Sequence, residues 1–216
     1  MRLLYTLLWY LLLPVLFVRL WWRGRRATEY RRRWDERLAL GLAPLRLRAS
    51  VWIHAVSVGE VLAAAPLVRA LLERYPGTPL VVTTTTPTGS ERVQALFGDA
   101  VTHVYCPWDL PGALHRFHEA FDPRLVLVME TELWPNLVAS AYKRGVPVML
   151  VNGRLSLSSF RGYARLPALT RPMMGALSGL LVQTEEEADR FRRLGAAPET
   201  VAVTGNIKFD LSVSEQ

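Results

Sequence analysis

Apolar and polar positions change their rhythm along this chain, and each rhythm predicts a different kind of element. Residues 3–18 carry no charge, and after Arg19 the apolar run adds Leu20, Trp21 and Trp22. As a helix rising about 1.5 Å per residue, such a run reaches roughly 24–30 Å, borderline for crossing a hydrocarbon core. From residue 49 onward, short apolar runs alternate with segments of helical period. Strands are predicted at 51–56, 80–85, 101–105, 124–129, 146–151, 180–183 and 201–204. Helices are predicted between them: from Val61 to Tyr75, up to about Phe97, at 110–121, at 133–144, and as one stretch over about 158–177. Thr184 followed by three glutamates opens a further helix with a cap and first-turn acids. Apolar strands alternating with helices predict an α/β fold, a Rossmann-like parallel sheet covered on both faces. The domain organisation read from this is an apolar leader (1–22), a basic segment (23–48) and one Rossmann-like domain (49–216).

Charge sharpens the leader. Residues 1–48 hold eleven arginines against Glu29, Asp35 and Glu36, a balance of +8, while the whole chain of 216 residues carries +7. Residues 133–184 hold six basic side chains and no acid, and the stretch from 49 to 132 is acidic. A cleavable signal peptide would place its basic region before the apolar run and small residues after it, and the order here is the reverse. The positive residues that follow the leader place the rest of the chain in the cytoplasm. The leader is read as a membrane anchor, spanning the bilayer or lying in its interface, against the plainer reading of an apolar helix docked in a soluble fold. The arginines beside it suit anionic lipid headgroups; no recognisable nucleic-acid-binding module follows them, so no nucleic-acid partner is expected. Cys106 stands alone, which excludes a disulfide framework.

Ligands of parallel sheets bind at the carboxyl ends of the strands, and the polar clusters fall there. Glu60 follows a Ser-Val-Gly turn and opens a helix, where the helix dipole favours its ionised form; it is either a general base or an ordinary first-turn acid. Glu130 and Glu132 leave an apolar strand, and in an alternating pattern they share a face, with one of them free to cap the helix near Leu133. Thr88, Gly89 and Ser90 open a helix with Arg92 behind them, a group suited to a phosphate. Lys208 is one of two lysines among 26 basic residues and follows a strand-end glycine, where it can neutralise developing negative charge or sit solvated. His115 and His118 are three apart on a helix and are expected on a solvated face rather than at a metal. No Walker A loop, no dinucleotide-binding glycine pattern and no Asp-x-Asp pair is present.

The run Ile53-His54-Ala55-Val56-Ser57-Val58-Gly59-Glu60 resembles the start of the acceptor domain of bacterial 3-deoxy-D-manno-octulosonic acid (Kdo) transferases. The likeness continues through 83–89, Tyr105-Cys106-Pro107-Trp108-Asp109, 129–136, 151–156, Phe160, Tyr163 and 205–210. It implies the N-terminal domain of a GT-B glycosyltransferase of lipopolysaccharide synthesis on the cytoplasmic face of the inner membrane. Such an enzyme transfers Kdo from CMP-Kdo to a lipid A precursor (lipid IVA) with inversion, with no metal and no cofactor. By the same resemblance Glu60 is the proton acceptor, and Glu130 and Lys208 stabilise the transition state. Thr88, Gly89 and Arg92 match a stretch that meets an acceptor phosphate. The family continues with a second domain that holds most of the CMP-Kdo, so little transferase activity is expected of this chain alone. The competing expectation is a non-catalytic membrane-bound module that holds the lipid A precursor or a partner.

Overall fold

In the computed structural model, which describes residues 1–42 and 45–207, all seven predicted strands form and join one parallel sheet. They are β1 (Ser50–His54), β2 (Leu80–Thr84), β3 (Thr102–Tyr105), β4 (Pro123–Met129), β5 (Val148–Gly153), β6 (Gly179–Val182) and β7 (Val201–Val203). The spatial order is β3-β2-β1-β4-β5-β6-β7. The chain therefore moves outward from β1 through β2 to β3, then returns to pair β4 on the other side of β1. That reversal leaves a crevice above the carboxyl ends of β1 and β4, because their following connections diverge to opposite faces.

Helices cover both faces. They are α1 (Arg2–Arg23), α2 (Val58–Arg74), α3 (Pro87–Phe97), α4 (Pro111–Phe121), α5 (Pro135–Lys143), α6 (Leu157–Ala164), α7 (Pro167–Met174) and α8 (Glu185–Arg193). Side chains alternate across the sheet: Trp52, Val126 and Val128 face one core, while Ile53, Leu127 and Met129 face the other. The stretch predicted as one helix over 158–177 is two. Pro167 restricts the backbone of Leu166 before it and starts α7 as the first helical residue, so α6 stops short of it. Thr184 caps α8 as expected, accepting the amide of Glu187 at 3.3 Å.

The leader forms α1, long and apolar enough to cross a membrane. One side of it nevertheless rests on the domain along its whole length. Near the start, the Tyr5 hydroxyl donates to Asp109 at 2.8 Å, and Thr6 pairs with Asn136. Near the end, Phe17 packs edge-on against Trp108 with ring centres 4.9 Å apart. The other side leaves Leu3, Leu7, Leu11, Val15, Val18 and Trp22 exposed. Two arginines of the basic segment turn inward rather than toward solvent. Arg33 forks onto Glu36 and reaches Ser90 at 2.9 Å. Arg37 is buried, stacks over Tyr105 and donates to the Thr85 carbonyl at 3.1 Å. His118 likewise differs from the expected solvated face. It is buried edge-on to Trp52, and burial lowers its pKa to about 4; only His115 of the pair is exposed, beside Arg144.

Candidate active site

The turn after β1 builds the first half of the site. Ser57 is the N-cap of α2, and its hydroxyl oxygen faces the amide of Glu60 at 3.5 Å. The Glu60 side chain folds back over the turn, accepting the Val56 amide and the Ser57 hydroxyl, each at 2.9 Å. So the carboxylate does satisfy turn donors, as an ordinary first-turn acid does, and only 7% of the residue stays exposed. Its ionisation departs from the sequence expectation. Burial pushes its pKa up to about 7, the two hydrogen bonds oppose this, and the charges of Glu132 and Glu130 push the same way as burial. The helix dipole favours the charged form, yet the desolvated position outweighs it.

The second half comes from the loop after β4. The strand ends at Met129, and Glu130 donates its amide to the Val151 carbonyl at 3.0 Å with a φ of 54°. A glutamate in the left-handed region is uncommon and breaks the alternating pattern on which a shared face for Glu130 and Glu132 depended. Glu132 accepts the Trp134 indole N–H at 3.2 Å, and burial followed by the Glu130 charge raises its pKa. α5 starts two residues later than predicted, at Pro135, with Trp134 as an N-cap that provides no side-chain bond. Glu60 and Glu132 thus share one desolvated neighbourhood at the sheet's switch point, with the charge of Glu130 beside them.

Beside them sits a polar cluster to which the sequence alone assigns no role. The Thr83 hydroxyl joins Trp52 Nε1 at 2.8 Å to His54 Nδ1 at 2.9 Å, and the His54 ring meets Trp134 edge-on at 5.1 Å. Burial lowers the His54 pKa to about 4, so it is neutral near pH 7. A histidine inside an otherwise apolar strand was the signal in the sequence.

Thr88, Gly89 and Arg92 belong to α3, after β2. Thr86, not Thr88, caps α3, and its hydroxyl oxygen accepts the Gly89 amide at 3.1 Å. Thr88 and Arg92 are exposed while Gly89 is buried. Ser90 donates its amide to the Thr86 carbonyl, so two of the amides that a phosphate would meet are already engaged. Lys208 lies outside the described residues. The residue before it is tied to the rim, since the Ile207 amide donates to Asn152 Oδ1 at 3.2 Å. Among the described residues, no group of three His, Cys, Asp or Glu side chains is placed to hold a metal.

Comparison with known proteins decides the family. The profile described as "3-Deoxy-D-manno-octulosonic-acid transferase (kdotransferase)" matches residues 32–211. The chain belongs to the Kdo transferase family. A 3-deoxy-D-manno-octulosonic acid transferase of Haemophilus influenzae is 41% identical over 216 residues, covering 100% of this chain and 51% of that protein. One from Bordetella pertussis is 42% identical over 222 residues, covering 98% and 50%. This chain thus spans about half the length of the curated relatives it matches. Among solved structures, UDP-GlcNAc 2-epimerase from Neisseria meningitidis bound to UDP-GlcNAc superposes with a TM-score of 0.54 at 17% identity, over 76% of this chain and 51% of that one. That likeness is one of fold, and it agrees with the GT-B type of α/β domain. The Kdo transferase match takes in Glu60, Glu130 and Lys208, and begins beyond α1.

Proposed function

We propose that this chain is the acceptor-side half of a glycosyltransferase of lipopolysaccharide biosynthesis, which moves Kdo from CMP-Kdo to the lipid A precursor lipid IVA with inversion. The observation that carries this reading is Glu60, a buried carboxylate with a pKa near 7 at the β1–β4 switch point. A base is most useful when its pKa lies near the working pH, because it is then both ionised and proton-seeking. In the proposed step, Glu60 takes the proton of the acceptor hydroxyl as that oxygen bonds to the anomeric carbon of Kdo. The bond from that carbon to the CMP phosphate breaks, and its electron pair leaves with CMP. Glu130 adds negative charge next to Glu60, which strengthens the base and favours the positive charge that builds on the Kdo ring as CMP leaves. Lys208 compensates the leaving phosphate in the metal-independent manner that the resemblance implies. Thr88, Gly89 and Arg92 line the approach of an acceptor phosphate, chiefly through the exposed hydroxyl and guanidinium.

The donor is held by a second domain in this reading, and the 216-residue chain alone transfers little or no Kdo. Its setting is the cytoplasmic face of the inner membrane. Because both ends of α1 are fastened to the same domain, the helix fits a position within one leaflet, its exposed apolar side in the acyl boundary, better than a crossing. Arg19, Arg23, Arg25 and Arg26 then meet anionic headgroups. The test is Kdo transfer by the chain joined to its donor-binding half, with and without Glu60→Gln. Loss of turnover with lipid IVA binding retained supports the assignment, and undiminished turnover removes it.

A further inference from the structure

A cleft of about 420 Å³ opens beside the carboxylate loop, between the leader helix and the α6–α7 pair. Tyr5 of α1 forms one wall, Trp134 the end nearest the loop, and Gly162, Tyr163, Leu166 and Leu169 the opposite wall. The polar atoms on its border are engaged elsewhere. The Tyr5 hydroxyl donates to Asp109, the Tyr163 hydroxyl to the Thr131 carbonyl at 3.3 Å, the Thr170 hydroxyl to the Tyr163 carbonyl at 2.9 Å, and the Trp134 indole to Glu132. With those donors committed, the cleft has little with which to read a sugar or a base by hydrogen bonds, and it suits hydrocarbon.

Position and charge identify the occupant. The cleft shares Pro135, Leu169 and Met173 with a neighbouring hollow that Leu3 lines at the start of α1, where the exposed apolar side of Leu3, Leu7 and Leu11 begins. At its inner end, Trp134 and Tyr163 hold the loop that carries Glu130 and Glu132. Arg161 and Arg165 are exposed on and just after α6, and supply positive charge for an anionic headgroup beside an apolar tail. We propose that this cleft takes one acyl chain of the acceptor, an anionic sugar lipid, and so fixes the depth at which the acceptor hydroxyl meets Glu60. The identity of the sugar rests on the transferase reading; the hydrocarbon site rests on the cleft.

The test titrates this chain with glucosamine phosphates bearing a single acyl chain, lengthened two carbons at a time and kept below micelle formation. Affinity is expected to climb roughly fourfold per buried methylene until the cleft is full. Gly162→Phe fills the cleft, since a Cβ at Gly162 meets no atom within 4 Å, and Leu166→Glu places a charge at a residue 48% exposed on its border. Both variants are expected to keep the wild-type melting temperature and to lose the dependence on chain length. The same slope in all three proteins overturns the proposal. An equal loss of binding to phosphatidylglycerol vesicles overturns the acceptor as occupant. Kdo transfer to lipid IVA by the chain joined to its donor-binding half is read separately: its failure with the slope intact sinks the transferase reading and leaves the cleft.

Discussion

Two neighbouring turns on the same rim follow the same local plan and reach opposite ends. After β1, Ser57 caps α2 and its oxygen faces the amide of Glu60; after β2, Thr86 caps α3 and accepts the amide of Gly89. Glu60 and Gly89 therefore occupy the same place, three residues beyond their caps. In the first turn that place holds a carboxylate that bends back onto Val56 and is shut away from water. In the second it holds no side chain, and a Cβ there would lie 3.0 Å from Thr86 Oγ1 and 3.2 Å from Thr84 Cβ. Capping explains why both helices begin where they do. The chemistry depends on what surrounds the third residue, and only the first turn faces the loop of Glu130 and Glu132.

The largest expected effect separates the two turns by activity. Glu60→Gln, in the chain joined to its donor-binding half, should lower turnover by about 10²–10⁴, the usual range for a lost general base. A steady-state assay of Kdo transfer reads this directly. Gly89→Val should act first on stability, costing about 1–3 kcal/mol through crowding against Thr84, seen as a lower urea midpoint. An unchanged midpoint would mean that the second turn does not need its glycine.

The next effect depends on pH and belongs to the first turn alone. The folded-state pKa of Glu60 lies above its ordinary value of 4.5, so ionising it opposes folding. Stability contributed by the protonated carboxyl is present in full below 4.5 and is lost as pH rises through about 7. Glu60→Gln is therefore expected to match or trail wild type in acid and to exceed it by about 1–3 kcal/mol above neutrality. Thermal melts across this range check the sign. The smallest effects belong to the exposed residues of the second turn. Thr88→Ala with Arg92→Ala should shift stability by less than about 0.5 kcal/mol and raise the KM for a phosphorylated acceptor a few-fold, leaving kcat unchanged.

The strands were legible because each is a short apolar run between turn residues, and their observed ends fall close to the predicted ones. The rim was legible too, since polar clusters can end those runs only at the sheet's carboxyl edge. The break between α6 and α7 is not legible, because a proline within a helical period does not by itself say that the helix stops: Pro14, Pro66 and Pro172 lie inside α1, α2 and α7, whereas Pro167 begins a helix. Arg33 and Arg37 looked like lipid-facing charges because composition counts arginines without saying where they point. In the fold, Tyr105 and Glu36 draw them inward. The sign of the Glu60 pKa shift is not legible in the sequence for a related reason. The helix dipole is visible in its own turn, whereas the carboxylates beside it arrive from a loop some seventy residues away.

That sign is the most direct test of the account. Carboxyl carbon NMR of the 216-residue chain, with the Glu60 resonance assigned by its disappearance in Glu60→Gln, measures the pKa without any donor or acceptor. A titration near 7 is predicted, moving down when Glu130 is replaced by Gln. A Glu60 carboxyl that titrates at its ordinary 4.5 would contradict the claim that the crevice holds a base poised for neutral pH.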